Sequence, residues 1–447
     1  MFLCCVRLGR IQRIAEADEA AHAKRPSAGK RPVSSRMSAT PARIIMRRCD
    51  DLARITDEAG RITRTFASPA MRRANKLVGG WMRRAGMKAR TDAIGNLIGH
   101  YAGRKPGAKI LLLGSHLDTV RNAGKFDGPL GVLLAIACVE NLHRRGVRLP
   151  FAIEAVGFAD EEGVRYQTGF LGSKVLAGRL EEKDLRRVDA NRVSMADAIK
   201  RFGGNPAKLK SARLDPKTLL GYVEAHIEQG PVLEQKNLAV GVVSAIAGQS
   251  RFTLSFAGRA GHAGAVPMDL RQDALCAAAE FITAVENYAR KTNGLVATVG
   301  QICAEPGASN VIPGRVTLTL DVRHQKDSVR LAGCARLRII ARQIARARKM
   351  KTAWQPVQQA ASVRCSPRLS GRLIHAVKKR QREAPALPSG AGHDAAVMAR
   401  ITPAAMLFVR CKGGVSHHPD ESVSGRDVRM AFEVMNDFLL RLADDAA

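Results

Sequence analysis

His116 and Asp118 stand two positions apart, directly after the apolar run of residues 110–113. Such a run is typical of a buried strand, and open α/β sheets place their chemistry at the carboxyl ends of strands. At this spacing His116 can bind a metal ion while Asp118 orients its imidazole ring. Asp127 offers a further carboxylate from the next turn, just before a predicted helix. One His-x-Asp pair is weak evidence by itself, so the interpretation depends on motifs further along the chain.

A second apolar run, residues 151–158, ends in three consecutive carboxylates, Asp160, Glu161 and Glu162. Carboxylates next to a buried strand are costly unless a cation or solvent receives them. Neighbouring side chains in extended backbone point to opposite sides, so Glu161 and Glu162 can have different roles. We expect one of them to bind a metal ion and the other to move a proton.

Two more histidines occur in comparable places. His226 lies with Glu228 and Gln229 in a strand-like segment that ends at a Gly-Pro pair, and His417 follows the apolar run of residues 405–409. A structural role for any one of these residues would be unremarkable. Together with the earlier motifs they indicate a cluster of histidines and carboxylates assembled from distant parts of the chain.

The pattern of elements predicts how these residues are positioned. Amphipathic helices are predicted at residues 44–55 and 68–85, and a strand-helix-strand order over residues 110–158 indicates a largely parallel sheet. After Gly248 the period changes to β-α-β-β-α-β, the order of a ferredoxin-like domain. We therefore predict an α/β fold: a mostly parallel-sheet catalytic domain with an inserted ferredoxin-like domain.

The predicted domain limits follow from these changes of pattern. They are a basic, disordered N-terminal extension at residues 1–37, the first part of the catalytic domain at 38–249, the inserted domain at 250–363, and the second part of the catalytic domain at 364–447.

Composition narrows the classes of function. The 447 residues exceed the size at which single cores stop growing, and the longest apolar run, residues 132–139, is too short to cross a bilayer. The net charge of +32 is spread along the chain without aromatic residues between the basic ones, so we expect neither nucleic-acid nor membrane binding. The nine scattered cysteines include no C-x-x-C pair, which favours a reducing compartment and a cytoplasmic location.

The assembled motifs resemble the amidohydrolase branch of the dinuclear-metal aminoacylase/carboxypeptidase superfamily. That branch contains allantoate amidohydrolases, N-carbamoyl-L-amino-acid hydrolases and β-ureidopropionases. The resemblance runs from about residue 44 to the C-terminus and rests on five motifs in the same order. These are His116-Leu117-Asp118-Thr119, Asp127-Gly128, Glu161-Glu162-Gly163, His226-Ile227-Glu228-Gln229-Gly230 and Ser416-His417.

The resemblance implies two divalent metal ions per subunit. One would be bound by His116, Asp127 and His226, and the other by Asp127, Glu162 and His417, so that Asp127 bridges. Mixed imidazole and carboxylate sites suit Zn²⁺ or Mn²⁺, with Co²⁺ or Ni²⁺ as alternatives.

The same resemblance assigns the catalytic roles. Glu161 would be the general base that takes a proton from the attacking water and returns it to the leaving nitrogen, and Asp118 would orient His116. The inserted domain would act as a lid and a dimerisation domain. His262 would stabilise the oxyanion, reaching the site of a neighbouring subunit in a homodimer.

Four further positions match substrate-binding positions of the family. Gln229, Asn310 and Arg323 would bind the substrate, with the arginine holding a carboxylate, and the backbone at Gly392 would line the same pocket.

Hydrolysis of a linear ureido or carbamoyl bond in a small carboxylate is the expected function, and allantoate is the first substrate candidate. Residues 61–70 and 409–417 favour it, because both resemble sequences of allantoate amidohydrolases. N-carbamoyl-L-amino-acid hydrolysis, or a β-ureidopropionase-like reaction, is the alternative. A remote alternative is a non-catalytic basic binding protein on the same fold. The presence of Glu161 and of all five ligand positions argues against it.

Overall fold

A computed structural model of the protein describes residues 40–445. The predicted basic extension at residues 1–37 lies outside these residues. Within residues 40–445, no helix combines the length and the apolar character needed to cross a bilayer.

The helices of the described chain are α1 Pro41–Ala53, α2 Pro69–Arg84, α3 Pro129–Arg144, α4 Leu171–Leu176, α5 Glu182–Leu185, α6 Met195–Phe202, α7 Val232–Gln235, α8 Ala274–Lys291, α9 Asp327–Ala347, α10 Pro367–Lys378, α11 Asp394–Met398 and α12 Gly425–Asp444.

The strands are β1 Lys88–Thr91, β2 Leu97–Tyr101, β3 Ile110–His116, β4 Ala152–Phe158, β5 Leu219–Ile227, β6 Val240–Ile246, β7 Gly248–Ala257, β8 Gly261–His262, β9 Val296–Thr298, β10 Ile302–Glu305, β11 Val311–Ile312, β12 Arg315–His324, β13 Lys351–Ala360, β14 Val363–Arg364, β15 Ala386–Ser389 and β16 Ala404–Val409.

The first sheet has a parallel centre, as predicted. Its strands follow the order β1-β2-β4-β3-β5-β16-β6-β14, and β15 pairs with β6. The central strands β4, β3, β5 and β16 run parallel, whereas the pairs at the two edges are mostly antiparallel. The carboxyl ends of β3, β4, β5 and β16 therefore meet at one edge of the sheet.

Apolar residues cover both faces of this sheet. In β3, Leu111 and Leu113 pack into the core that includes α1, α3 and α12, and Leu112 packs into a second core on the other face. Burial of alternate residues on both faces explains why the run of residues 110–113 is continuously apolar.

The second sheet has the predicted ferredoxin-like connectivity. Its strand order is β10-β12-β7-β13, with β9 also paired to β12, and all of these pairs are antiparallel. Helices α8 and α9 pack on one face through a core that contains Phe256, Phe281 and Leu337. Helix α8 begins at Ala274 because the Asp273 side chain accepts hydrogen bonds from the N–H groups of Leu275 and Cys276.

The chain passes between the two sheets at two adjacent points. Only Ala247 separates β6 of the first sheet from β7 of the second. On the return, β14 follows β13 after two residues and pairs with β6, with Val363 opposite Ile246. Both connections thus lie at one hydrogen-bonded pair of strands.

Candidate metal centre and active site

His116 is the last residue of β3, and its imidazole ring is buried. Its Nδ1 lies 3.0 Å from the carbonyl oxygen of Asp118 and 3.6 Å from Asp118 Oδ1. The Asp118 carboxylate also accepts hydrogen bonds from the backbone N–H groups of Glu161 and Glu162, at 3.1 and 3.0 Å. Asp118 therefore links the end of β3 to the loop that carries both glutamates.

Arg64 holds the turn that follows His116. Its side chain is 1% exposed, and it donates to the carbonyl oxygens of Leu117, Leu52 and Ile55. Its backbone N–H donates to the Thr119 hydroxyl. Arg64 thus joins the segment of residues 52–55 to the turn that carries Leu117 and Thr119.

Asp127 lies between two histidines from distant parts of the chain. Its Oδ1 is 3.0 Å from His226 Nε2, and its Oδ2 is 3.0 Å from His417 Nε2. Burial opposes ionisation of the Asp127 carboxyl, but hydrogen bonds from both imidazoles outweigh it and hold its pKa well below the usual range. Asp127 thus presents one carboxylate oxygen on the side of His226 and the other on the side of His417.

The turn after Asp127 requires glycine. Gly128 has φ +82°, and a Cβ there would lie 2.4 Å from the His116 ring. Pro129 follows as the first residue of α3, where its missing N–H costs nothing because that group has no partner within the helix. Gly128 and Pro129 thus fix Asp127 at the amino end of α3 and against His116.

Glu421 holds the Asp127 backbone from the other side. This buried carboxylate accepts hydrogen bonds from the N–H groups of Phe126 and Asp127 on Oε1, at 2.7 and 3.1 Å. The Ser416 hydroxyl lies 2.9 Å from Asp127 Oδ2 and 3.2 Å from Glu421 Oε2. Burial, with the nearby Asp127 charge, raises the pKa of Glu421 to about 7. Sequence patterns do not reveal this role, because it joins residues almost 300 positions apart.

We expect Glu421→Ala to weaken metal binding by about 10- to 100-fold, the usual effect of removing a group that orients a metal ligand. Glu421→Gln retains an oxygen for the two N–H groups and should bind metal nearly as the wild type does. Titration calorimetry of Zn²⁺ or Mn²⁺ into chelator-stripped protein measures both. Equal affinities of wild type and Glu421→Ala would contradict this role.

Glu161 and Glu162 face the same cavity, contrary to the alternation expected from extended backbone. The two glutamates lie in a bend after β4 and not in a strand. Asp160, which precedes them, has a positive φ of +56° that turns the chain. Each brings a carboxylate oxygen within 4.8 Å of a His116 nitrogen and of the other. Burial raises the pKa of Glu161 well above its usual range and that of Glu162 to about 7. A bound cation would offset the free-energy cost of burying these carboxylates close together.

His417, and not its neighbour, faces the cluster. His417 has φ +58° and lies 3.6 Å from Glu162 Oε1 as well as 3.0 Å from Asp127. Its hydrogen bond to Asp127 raises the pKa of His417 to about 8. The neighbouring His418 instead lies 3.5 Å from Asp420 at the surface.

The donor atoms fit divalent metal ions. Ligand atoms lie within 4.8 Å of one another in the set His116, Asp127 and His226, and also in the set Asp127, Glu162 and His417. Imidazole nitrogens mixed with carboxylate oxygens are a donor set of Zn²⁺ and similar ions. The structure thus brings together all five residues predicted as ligands, with Asp127 common to both sets.

Gln229 lies beside the cluster, and its own backbone has a positive φ of +56°. Its Nε2 donates to both Asp127 oxygens, at 3.2 and 3.0 Å, and its Oε1 is buried without a partner among the described atoms. Glu228 points elsewhere and accepts from the N–H groups of Val232 and Leu233 at the start of α7.

A cavity of about 610 Å³ connects the cluster with the second sheet. Arg323 and Gly392 line it together with Glu161 and His417. The Arg323 guanidinium donates to both oxygens of Asp321, at 2.9 and 3.0 Å, and to the Gly390 carbonyl at 2.6 Å.

Gly392 leaves room for a neighbouring aromatic ring. A Cβ at this position would come within 2.8 Å of the Phe170 ring, which lines the same cavity.

His262 and Asn310 do not line this cavity. His262 is exposed in β8, which pairs with β11, and the Ala263 N–H donates to the Asn310 carbonyl oxygen. The two residues therefore lie side by side on the surface of the inserted domain and outside the cavity that contains the candidate metal ligands.

His393 is the other buried histidine next to the cluster. Its ring centroid lies 4.5 Å from that of His226, and its Nε2 is 2.8 Å from the Ser389 hydroxyl. Burial holds the pKa of His393 well below its usual range.

Comparison with known proteins places the chain in a family. The family model described as peptidase family M20/M25/M40 matches residues 112–441. An N-carbamoyl-L-amino acid amidohydrolase of Geobacillus stearothermophilus is 42% identical over 86% of this chain and 94% of the relative. Allantoate deiminase 2 of Glycine max is 41% identical over 88% of each chain.

A solved structure gives the same result. The amidase of the hydantoinase/carbamoylase family from Burkholderia multivorans superposes with a TM-score of 0.85 at 30% identity, covering 90% of this chain and 98% of that one. The chain therefore belongs to the peptidase family M20/M25/M40 and is a hydrolase of carbon–nitrogen bonds.

Proposed function

We propose that the protein is a dinuclear metal-dependent amidohydrolase that cleaves a linear ureido or carbamoyl bond in a small carboxylate. The observation that carries the proposal is the position of Asp127 between His226 and His417, at 3.0 Å from each. The named relatives act on substrates of this chemical type, according to their names.

His116, Asp127 and His226 would hold one metal ion, and Asp127, Glu162 and His417 the other. When bound, the ions supply Lewis acidity that lowers the pKa of a water molecule and polarises the substrate carbonyl. Zn²⁺ or Mn²⁺ are the first candidates, and Co²⁺ or Ni²⁺ suit the same donors.

Glu161 would move the proton. Its carboxylate lines the cavity beside His116 and is not required by either ligand set. A base with a raised pKa can take a proton from water near neutral pH and then return it to the leaving nitrogen. Asp118 would keep both glutamates in place through their N–H groups.

Arg323 and Gln229 would bind the substrate. Arg323 offers planar N–H donors to a carboxylate and is held in position by Asp321 and by the Gly390 carbonyl oxygen. Gln229 would approach the scissile group from the side of Asp127.

Allantoate is the proposed substrate, and N-carbamoyl-L-amino acids are the alternative. Both kinds of relative are about equally similar to the chain, at 41% and 42% identity. The purified protein should be assayed on allantoate, N-carbamoyl-L-amino acids and N-carbamoyl-β-alanine after addition of Mn²⁺ or Zn²⁺. Turnover of carbamoyl amino acids without turnover of allantoate would contradict the choice of allantoate.

The second sheet domain would serve as a lid and a dimerisation domain. His262 and Asn310 are exposed and do not line the cavity of their own chain, which is the arrangement expected if they complete the site of a second subunit. His262 would then donate a hydrogen bond to the oxyanion.

We expect His262→Ala to reduce kcat by about 10²- to 10³-fold, because one oxyanion donor is lost, while the metal content stays unchanged. His375→Ala, at an exposed position of α10, is the matched control. An unchanged kcat in His262→Ala would remove the oxyanion role.

Mixing His262→Ala with Glu161→Gln tests whether the histidine acts across subunits. Random reassociation should restore about one quarter of wild-type activity, because half of the dimers are then mixed and each mixed dimer has one intact site. No recovery in demonstrably mixed dimers would show that His262 acts within its own chain.

A further inference from the structure

Lys174 lines the cavity that contains the metal-binding residues and Arg323. It lies on the short helix α4, whereas Arg323 lies on β12 of the second sheet. Arg251 of β7 also lines the cavity, so Lys174 is the one of these three cationic side chains that reaches it from outside the second sheet.

The ammonium of Lys174 has little compensation from the protein. Its Nζ lies 3.5 Å from the Thr168 hydroxyl, and it forms no ion pair with any carboxylate in residues 40–445. Asp184 and Glu181, two of the acidic residues around it, form ion pairs with Arg187 and Lys183. Burial lowers the pKa of Lys174 from its usual value, in agreement with a partly desolvated cation.

A partly buried ammonium with three donors needs acceptors, and Thr168 can satisfy one donor at most. Salt bridges elsewhere show that lysines of this chain do find carboxylates, as Lys125 does with Asp50 at 2.6 Å. Lys174 differs because it has no such ion pair among residues 40–445 and lines the cavity that also contains Glu161 and His417.

We propose that Lys174 and Thr168 bind a second oxygen-bearing group of the substrate, apart from the carboxylate held by Arg323. This inference rests on the proposed function and narrows the substrate class. It favours ureido carboxylates that carry another carbonyl or carboxylate group over those with an apolar side chain. Allantoate, with its second ureido group, and N-carbamoyl-L-aspartate meet this requirement, and N-carbamoyl-L-leucine does not.

The test compares these three substrates in wild type, Lys174→Met and Lys174→Arg. Methionine keeps the length of the side chain without the charge, and arginine keeps the charge. Lys378→Met, at an exposed position of α10, is the matched control. Thermal melts and metal content should be equal in all four proteins before the kinetics are compared.

We expect Lys174→Met to lower kcat/KM for allantoate and N-carbamoyl-L-aspartate by about 10- to 100-fold, mainly through KM, because a hydrogen bond to a charged group is lost. Values for N-carbamoyl-L-leucine should remain unchanged or rise, and Lys174→Arg should recover part of the loss.

Three outcomes would contradict the inference in different ways. An equal loss on all three substrates would make Lys174 a purely structural residue. No loss on any substrate would remove it from the binding site. Wild-type protein that hydrolyses none of the three would contradict the proposed function itself, and this inference with it.

Discussion

Glu161→Gln should reduce kcat by about 10²- to 10⁴-fold, the range that a positioned general base contributes, while both metal ions remain bound. The amide is similar in size and keeps one oxygen, but it cannot accept the proton of the attacking water. Single-turnover kinetics together with metal analysis by mass spectrometry measure the two properties separately.

Glu182→Gln is the control for this substitution, since Glu182 is exposed on α5, outside the cavity. Near-wild-type turnover by Glu161→Gln would show that Glu161 is not the base. A parallel fall in metal content would instead make Glu161 a ligand, which its distance of less than 4.8 Å from His116 and Glu162 donor atoms permits.

Asp127→Asn should reduce turnover at least as much as Glu161→Gln does, because it weakens metal binding. Asp127 is common to both candidate ligand sets, so the substitution removes negative charge that would serve both proposed ions. Loss of a residue that only orients a metal ligand lowers metal affinity by roughly 10- to 100-fold. We expect Asp127→Asn to lower the metal affinity by more than this, with turnover falling in parallel.

The measurement is metal stoichiometry after dialysis against buffered Zn²⁺ or Mn²⁺. Asp420→Asn is the control, because Asp420 is exposed in the segment that follows His417. Retention of two ions per chain by Asp127→Asn would contradict the bridging role and the dinuclear proposal.

The fold was predictable where the pattern is local. The apolar runs of β3 and β4, and the order of elements in the second sheet, follow from periodicity along the chain. Strand β6 does not, because Gly241 and Ser244 interrupt its apolar run and its place in the sheet depends on pairing with β14, β15 and β16. The helices α10 and α12 were also not among the predicted elements.

The residues of the site also fall into those that the sequence predicts and those that only the structure reveals. Residues with ligand chemistry at strand ends, such as His116 and His226, can be identified from the sequence. Glu421 and Lys174 cannot, because a glutamate after a turn and a lysine in a short helix have no distinctive spacing. Their significance depends on contacts, with the Phe126 and Asp127 backbone in one case and with the cavity in the other.

One error of prediction has a clear physical origin. Glu161 and Glu162 were expected on opposite sides of an extended segment, but the chain bends at Asp160 and both face His116. Asp118 holds this bend by accepting hydrogen bonds from both N–H groups, an interaction between segments more than 40 positions apart.

The junction between the sheets has a consequence for how this architecture can change. Ile246 and Val363 are hydrogen-bonded neighbours at the place where the chain leaves the first sheet and returns to it. The segment between these two residues carries the whole second sheet. Because its two ends are neighbours, it can be lengthened, shortened or exchanged without shifting the register of β6 and β14. The inserted module can therefore diverge while the strands that carry the candidate metal ligands keep their geometry.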